Sequence, residues 1–209
     1  MNVHINVDMV REKYHTQAVY AIVGMQLIKE VRRMEIKILD WIQTLRTPIL
    51  DQVMRFITTL GNAGIIWIVL AIILLMIPKT RKTGSIVTAS LVINIIVVNL
   101  ILKNVFARVR PFNVNTAVQL LIAKPTDYSF PSGHTAMALT VVTALFLAGE
   151  KKLAWTALVL AVLIAFSRMY LYVHYPTDIL GGVVVGILCG LIGKWFINEI
   201  EKKKKMPVG

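Results

Sequence analysis

A run such as LGNAGIIWIVLAIILLMIP, Leu60–Pro78, has no ordinary place in a water-soluble domain. A helix that crosses a bilayer needs about 20 mostly apolar residues, and this segment supplies them. Four further segments approach the same length: Gly84–Leu102, His134–Ala148, Leu153–Leu171 and Ile179–Ile197. The third is short and is expected to extend at its N-terminal end. In lipid the backbone has no partner but itself, so these segments must be helices. Their unbroken apolarity excludes a barrel, whose strands alternate. Composition agrees: 16% of the 209 residues are charged and 56% are hydrophobic, against about 25% charged in soluble domains.

The expectation is therefore an all-α, polytopic membrane bundle of five to six transmembrane helices. Residues 35–58 place apolar side chains at Ile38, Leu39, Ile42 and Leu45, then at Ile49, Leu50, Val53 and Ile57, with Pro48 between the two sets. That spacing predicts two amphipathic helices at the interface or covering the bundle.

The connections and the tail carry much of the net charge of +12. Spans one and two are joined by KTRKT and spans three and four by GEKK, and the chain ends in EKKKK. Five antiparallel spans put these three on one face, which the cationic bias makes cytoplasmic. Nucleic-acid binding is the weaker reading, because the cations lie between apolar spans and form no stripe. Cys189 is the single cysteine and sits in an apolar run, where it reads as a small buried hydrophobe.

The opposite face receives the end of span two, the start of span three, the end of span four and the start of span five. Lys103, Arg108, Arg110, Ser132, His134, Arg168, His174 and Asp178 all fall there. Ionisable groups at such depth are functional candidates. Lys103 and Arg110 are seven residues apart, two helical turns, so both can point one way toward an anion. Alone, Lys103 and Arg108 read as snorkelling interfacial residues. Pro131 and Ser132 suit a helix start, Gly133 admits a ligand to the backbone, and His134 in the first turn can give a proton to a leaving oxygen. A capped helix with a satisfied histidine is the bland alternative.

Pro176 argues against one helix through His174 and Asp178, so His174 is expected just before span five with Asp178 in its first turn. The carboxylate could then take the Nδ1 proton and leave Nε2 as nucleophile; a structural His–Asp hydrogen bond is the alternative. Three cations, an attacking histidine, its carboxylate and a second histidine suit displacement at phosphorus. A dinuclear metal site would need more carboxylates, so no metal and no cofactor are expected.

Lys103-x6-Arg110-Pro111, Pro131-Ser132-Gly133-His134 and Ser167-Arg168-x5-His174-x3-Asp178 together resemble the signature of the type 2 phosphatidic acid phosphatase family, over about residues 35–198. The resemblance implies a membrane phosphatase that acts on lipid phosphates or diphosphates without metal. It implies His174 as the nucleophile that becomes phosphohistidine, Asp178 as its orienting carboxylate and His134 as general acid. Lys103, Arg110, Ser132, Gly133 and Arg168 would hold the phosphoryl oxygens. Soluble acid phosphatases and vanadium haloperoxidases share such a site, but the apolar spans argue against both.

The small bacterial members that this chain resembles include undecaprenyl diphosphate phosphatases and phosphatidylglycerophosphate phosphatases. A multi-pass protein of a bacterial plasma membrane with an extracytoplasmic site suits the first, since the carrier diphosphate is released on that face. Phosphatidic acid is a further candidate substrate. A lipid phosphotransferase and a non-catalytic lipid-phosphate binder or transporter are the competing classes. The partners expected are the substrate lipid and the bilayer, with no nucleic acid and an open oligomeric state. The loop at 112–130 is expected to help cover the site, and Lys124 within it either meets a second phosphate or is simply solvated.

Three parts follow: an N-terminal extension at 1–33, a membrane-embedded phosphatase domain at 34–199 and a basic cytoplasmic tail at 200–209. Residues 17–28 hold an apolar patch too short for a comfortable span and make no convincing signal peptide. With five spans, Lys29, Arg32, Arg33 and Lys37 would lie outside, against the charge rule. Either residues 17–33 form a sixth element or translation starts at Met34. Lys29-Glu30-Val31 can be encoded by a ribosome-binding sequence just upstream of Met34. If so, mass spectrometry of the native protein finds Met34 at the N-terminus; any native peptide from residues 1–33 overturns this reading.

Overall fold

The computed structural model describes the backbone of residues 7–205 and the side chains of residues 23–204. The first and last residues of the expected extension and tail lie outside the described residues. The remainder is helical, with no strand among the described residues: α1 Val7–Gln43, α2 Pro48–Leu60, α3 Ile65–Met76, α4 Arg81–Ile95, α5 Lys103–Phe106, α6 Pro111–Val114, α7 Gly133–Ala148, α8 Lys151–Tyr170 and α9 Pro176–Lys205. A π-helical stretch, Ile96–Leu102, joins α4 to α5 without a break. Three of these segments are long and apolar enough to cross a membrane: Pro78–Val114, Lys151–Tyr170 and Pro176–Lys204. The protein is a multi-pass membrane protein.

Two expected spans differ in form. The run from Leu60 does not begin as helix. Asn62–Gly64 forms a turn with Ala63 and Gly64 in left-handed conformation, and α2 meets α3 there at 41°. The Gly61-Asn62-Ala63-Gly64 sequence is a turn signal that the surrounding hydropathy masks. α7 does not extend toward its N-terminus. It starts at Gly133 behind a Ser132 cap and runs for 16 residues, about 24 Å at the usual rise. It can be short because α3, α4, α8 and α9 pack around it. Residues 17–33 form no separate sixth element, for they continue α1.

The most extensive helix contact is between α7 and α9, and glycines allow it. A Cβ on Gly182, Gly186 or Gly190 would stand 2.9, 2.5 or 3.1 Å from the carbonyl oxygens of Ser132, Ala136 and Thr140. Backbone approach of this kind lets helices associate where lipid offers no hydrophobic drive. Gly193 meets Ser90 of α4 in the same way. Asn94 of α4 donates to Thr140 Oγ1 of α7 at 2.9 Å, closing the polar side of that packing.

α1 and α2 cover one end of the bundle, as the amphipathic spacing predicts. Leu39, Ile42 and Met54 pack with Tyr170, Leu171, Tyr172, Val173 and Tyr175, the turn between α8 and α9. Polar groups fix the same turn: Gln43 donates to the Tyr170 carbonyl at 2.8 Å, Tyr170 to Asp51 at 2.6 Å and Tyr172 to Asp40 at 2.7 Å. The basic connections lie at the other end, where Lys82 pairs with Glu201 and Thr83 meets Glu150 at 3.5 Å.

Gly186→Ala forces a methyl against the α7 backbone, and such overpacking costs about 1–3 kcal/mol. Its thermal midpoint in detergent is expected to fall by several degrees, while Gly24→Ala, with nothing within 4 Å, leaves it unchanged.

Candidate active site

Lys103, Arg110, Gly133, His134, Arg168 and His174 line one cavity of about 520 Å³ at the covered end of the bundle. Its roof includes Ile122, Ala123, Pro125 and Asp127, so the loop at 112–130 does cover the site. Lys124 is exposed and is not among the lining residues.

Lys103 and Arg110 converge, though not along one helical face. α5 ends where Ala107 turns left-handed, and Arg110 is extended before Pro111. The chain therefore doubles back and brings Arg110 to the same carboxylate as Lys103. Asp127 pairs with Lys103 through Oδ2 and with Arg110 Nη2 through Oδ1, the latter at 2.6 Å. Burial pushes the Asp127 carboxyl up, but the two cations outweigh it and draw it down to about 2. Arg110 also donates to the Val173 carbonyl at 2.7 Å and to the Asp127 carbonyl at 2.8 Å.

Ser132 caps α7. Its Oγ accepts from Thr135 N at 3.4 Å and from Thr135 Oγ1 at 3.0 Å, and its side chain does not line the cavity. Its N–H donates to the Asp178 carbonyl at 3.0 Å. The donors that α7 leaves for an anion are thus the N–H groups of Gly133 and His134. The His134 ring packs over Gly61, where a Cβ would stand 2.8 Å from Cδ2, and its Nε2 lies 3.1 Å from Asn62 Oδ1. The turn between α2 and α3 therefore positions this imidazole.

Pro176 opens α9, so His174 precedes the helix and Asp178 lies in its first turn, as the sequence implies. His174 Nδ1 is 3.4 Å from Asp178 Oδ2. Nε2 is not isolated: it sits 3.2 Å from Arg110 Nη1 at the cavity wall. Burial, reinforced by Arg110 and Arg168, pushes the imidazole down although Asp178 pulls it up. The Arg110 guanidinium facing Nε2 favours a ring whose Nε2 carries a lone pair, as attack through Nε2 would require. Arg168 is 3% exposed and donates to Thr58 Oγ1 at 2.5 Å. Among the described residues its Nε has no hydrogen-bond partner and no carboxylate lies within ion-pair distance of it.

Arg108 does not snorkel. It bridges Asp178 and Glu35, each through a contact near 2.5 Å, and covers the Tyr175 ring. A snorkelling cation would need water at its head; Arg108 has two carboxylates instead, and its side chain is 18% exposed. Ser129 donates to Asp178 as well. Glu35, Asn62, Asp127 and Ser129 are site residues that the motifs do not mark. Asp127 and Ser129 lie within seven residues of His134 in the Pro131–His134 motif, which was the available signal; Glu35 had none.

Three cationic side chains and two histidines line one cavity at the covered end of a membrane bundle, an arrangement suited to an anionic group such as a phosphoryl group. The chain belongs to the PAP2 superfamily, whose family model matches residues 82–202. It is 38% identical over 137 residues to an undecaprenyl-diphosphatase of Sulfolobus acidocaldarius, covering 66% of each chain. It is 36% identical to undecaprenyl-diphosphatase BcrC of Bacillus subtilis, over 69% of this chain and 73% of that one. Among solved structures, a PAP2-type phosphatidylglycerolphosphate phosphatase from Bacillus subtilis superposes with a TM-score of 0.66 at 30% identity, covering 82% of this chain and 88% of the other. The protein is a membrane lipid phosphatase.

A Cβ on Gly133 would lie 3.7 Å from Lys103 Nζ with no closer neighbour. Gly133→Ala is therefore expected to keep its thermal midpoint while its methyl displaces a bound phosphoryl group. A misplacement of about 1 Å can cost about 100-fold in rate, and phosphate release measured per folded protein checks it.

Proposed function

We propose that the protein hydrolyses the terminal phosphate of undecaprenyl diphosphate, giving undecaprenyl phosphate and inorganic phosphate, at a site open to the extracytoplasmic side. The observation that carries the chemistry is His174 itself: an imidazole with Nδ1 on a buried carboxylate and Nε2 beside Arg110 in a cation-lined cavity.

His174 Nε2 attacks the terminal phosphorus, and the bond to the bridging oxygen breaks. His134 protonates that oxygen as undecaprenyl phosphate leaves. Lys103, Arg110, Arg168 and the N–H groups of Gly133 and His134 hold the phosphoryl oxygens, while Ser132 keeps the helix start in place. The Nδ1 proton remains on His174, and Asp178 balances the charge that the ring acquires. Water then gives a proton to His134 and attacks phosphorus, the P–N bond breaks and phosphate is released. In-line transfer needs such positioning and charge stabilisation.

A metal-free reaction is supported by the donor set. Asp127 and Asp178 are both committed to cations, and no group of three His, Cys, Asp or Glu suited to a metal occurs among the described residues. The extracytoplasmic assignment rests on the basic connections at the far end. The catalytic unit is residues 34–199, which retains Glu35, with 1–33 as extension and 200–209 as tail.

The test is phosphate release by purified protein in detergent with EDTA, from undecaprenyl diphosphate, phosphatidylglycerophosphate and phosphatidic acid, beside His174→Ala. The expected result is EDTA-resistant release, fastest from undecaprenyl diphosphate and absent in the variant. Faster release from either phospholipid overturns the substrate. Release by His174→Ala overturns the mechanism, and transfer of the phosphoryl group to a second lipid replaces hydrolysis with transfer.

A further inference from the structure

Arg108 lies between the site and α1 and has no part in the chemistry above. Its guanidinium is spread over three side chains and a ring. Nη1 donates to Asp178 Oδ1 and to Thr177 Oγ1, each at 2.6 Å, and Nη2 donates to Glu35 Oε2 at 2.5 Å. The group lies 4.0 Å from the Tyr175 ring centroid. Glu35, on α1, is almost fully buried, and its other oxygen accepts from Thr177 N at 3.0 Å and Thr177 Oγ1 at 2.5 Å. Thr177 is the second residue of α9, one before Asp178. A single arginine thus links α1, the segment after α5 and the start of α9.

We propose that Arg108, held by Glu35, is a positioning residue for the Asp178–His174 pair, and that α1 thereby contributes to the active site. The proposal rests on His174 acting as the nucleophile. Orientation and charge both support it.

Among the described residues Asp178 Oδ1 has Arg108 as its hydrogen-bond partner, while Oδ2 receives Ser129, Tyr175 N and His174 Nδ1. A wholly buried carboxylate that loses its ion pair turns to find another donor. Any such turn takes Oδ2 away from Nδ1, and Nε2 loses its aim at phosphorus.

Arg108 alone would neutralise Asp178, leaving little to balance the positive ring that forms when His174 is phosphorylated. With Glu35 on the other side, the three groups sum to one negative charge. Glu35 occupies part of the guanidinium, so Asp178 keeps its charge for the imidazole. Partners that orient metal-bound histidines typically change activity by about 10–100-fold, and the same scale is expected for a histidine oriented for attack.

Steady-state kinetics separate positioning from binding. In detergent with undecaprenyl diphosphate, Arg108→Met is expected to lower kcat about 100-fold and Arg108→Lys to recover part of that loss. Glu35→Gln, which keeps the shape and the Thr177 contacts, lowers kcat about 5-fold. KM and the inhibition constant of inorganic phosphate stay within about 2-fold in all three, because the phosphate pocket is untouched. Should Arg108→Met fail to fold, Glu35→Gln decides alone, checked by a single elution peak and an unchanged thermal midpoint. Unchanged kcat in Glu35→Gln overturns the proposal, as does a loss that appears in KM or in phosphate inhibition, which would make Arg108 a substrate ligand. No release by the parent protein, or release that survives His174→Ala, instead overturns the functional reading beneath it.

Discussion

A carboxylate with no exposed surface organises this protein. Asp178 receives donors from Arg108 after α5, Ser129 ahead of α7, and Tyr175 and His174 ahead of α9. Each segment is distant in sequence from the others, and each also carries a group of the cavity. A buried charge without partners would be strongly destabilising, so the bundle can close only when these segments meet. The requirement to satisfy Asp178 and the requirement to assemble the site are therefore one requirement.

The cluster as a whole leans positive. Lys103, Arg108, Arg110 and Arg168 face Glu35, Asp127 and Asp178, and these seven groups leave one cation uncompensated. Three of the arginine and lysine side chains are engaged with carboxylates. Arg168 has Thr58 and a buried Nε without a partner among the described residues. A guanidinium held in that state inside a bundle is costly unless an anion completes it. Among the residues of the cavity, Arg168 gives the strongest physical reason to expect a phosphoryl group there.

The apolar runs made the helical membrane bundle legible, and the three motifs made most of the pocket legible. What stayed hidden has physical causes. Hydropathy averages over a run, so the Gly61–Gly64 turn that carries Asn62 to His134 disappeared inside a span. Helical spacing predicted that Lys103 and Arg110 share a face; they converge because Ala107 breaks the helix, a backbone event that residue spacing does not encode. Arg108 read as an interfacial cation because its partner Glu35 lies 73 positions away on α1, and no local pattern marks a long-range ion pair. The Pro176 reading succeeded because proline acts locally: it places the helix boundary between His174 and Asp178.

The distance between the two histidines follows from a contact that involves neither. α7 and α9 approach closely because Gly182, Gly186 and Gly190 present no side chain to the α7 backbone. At the site end of that seam, the Ser132 N–H donates to the Asp178 carbonyl at 3.0 Å, so the first turn of one helix is fixed to the first turn of the other. His134 rides on the first turn of α7, and His174 is tied to the first turn of α9. A bulkier residue in the seam would move one histidine relative to the other without touching either. Fixed helix starts of this kind hold the two imidazoles at a set separation across the cavity, and rigid elements are what the proposed in-line displacement between them would need.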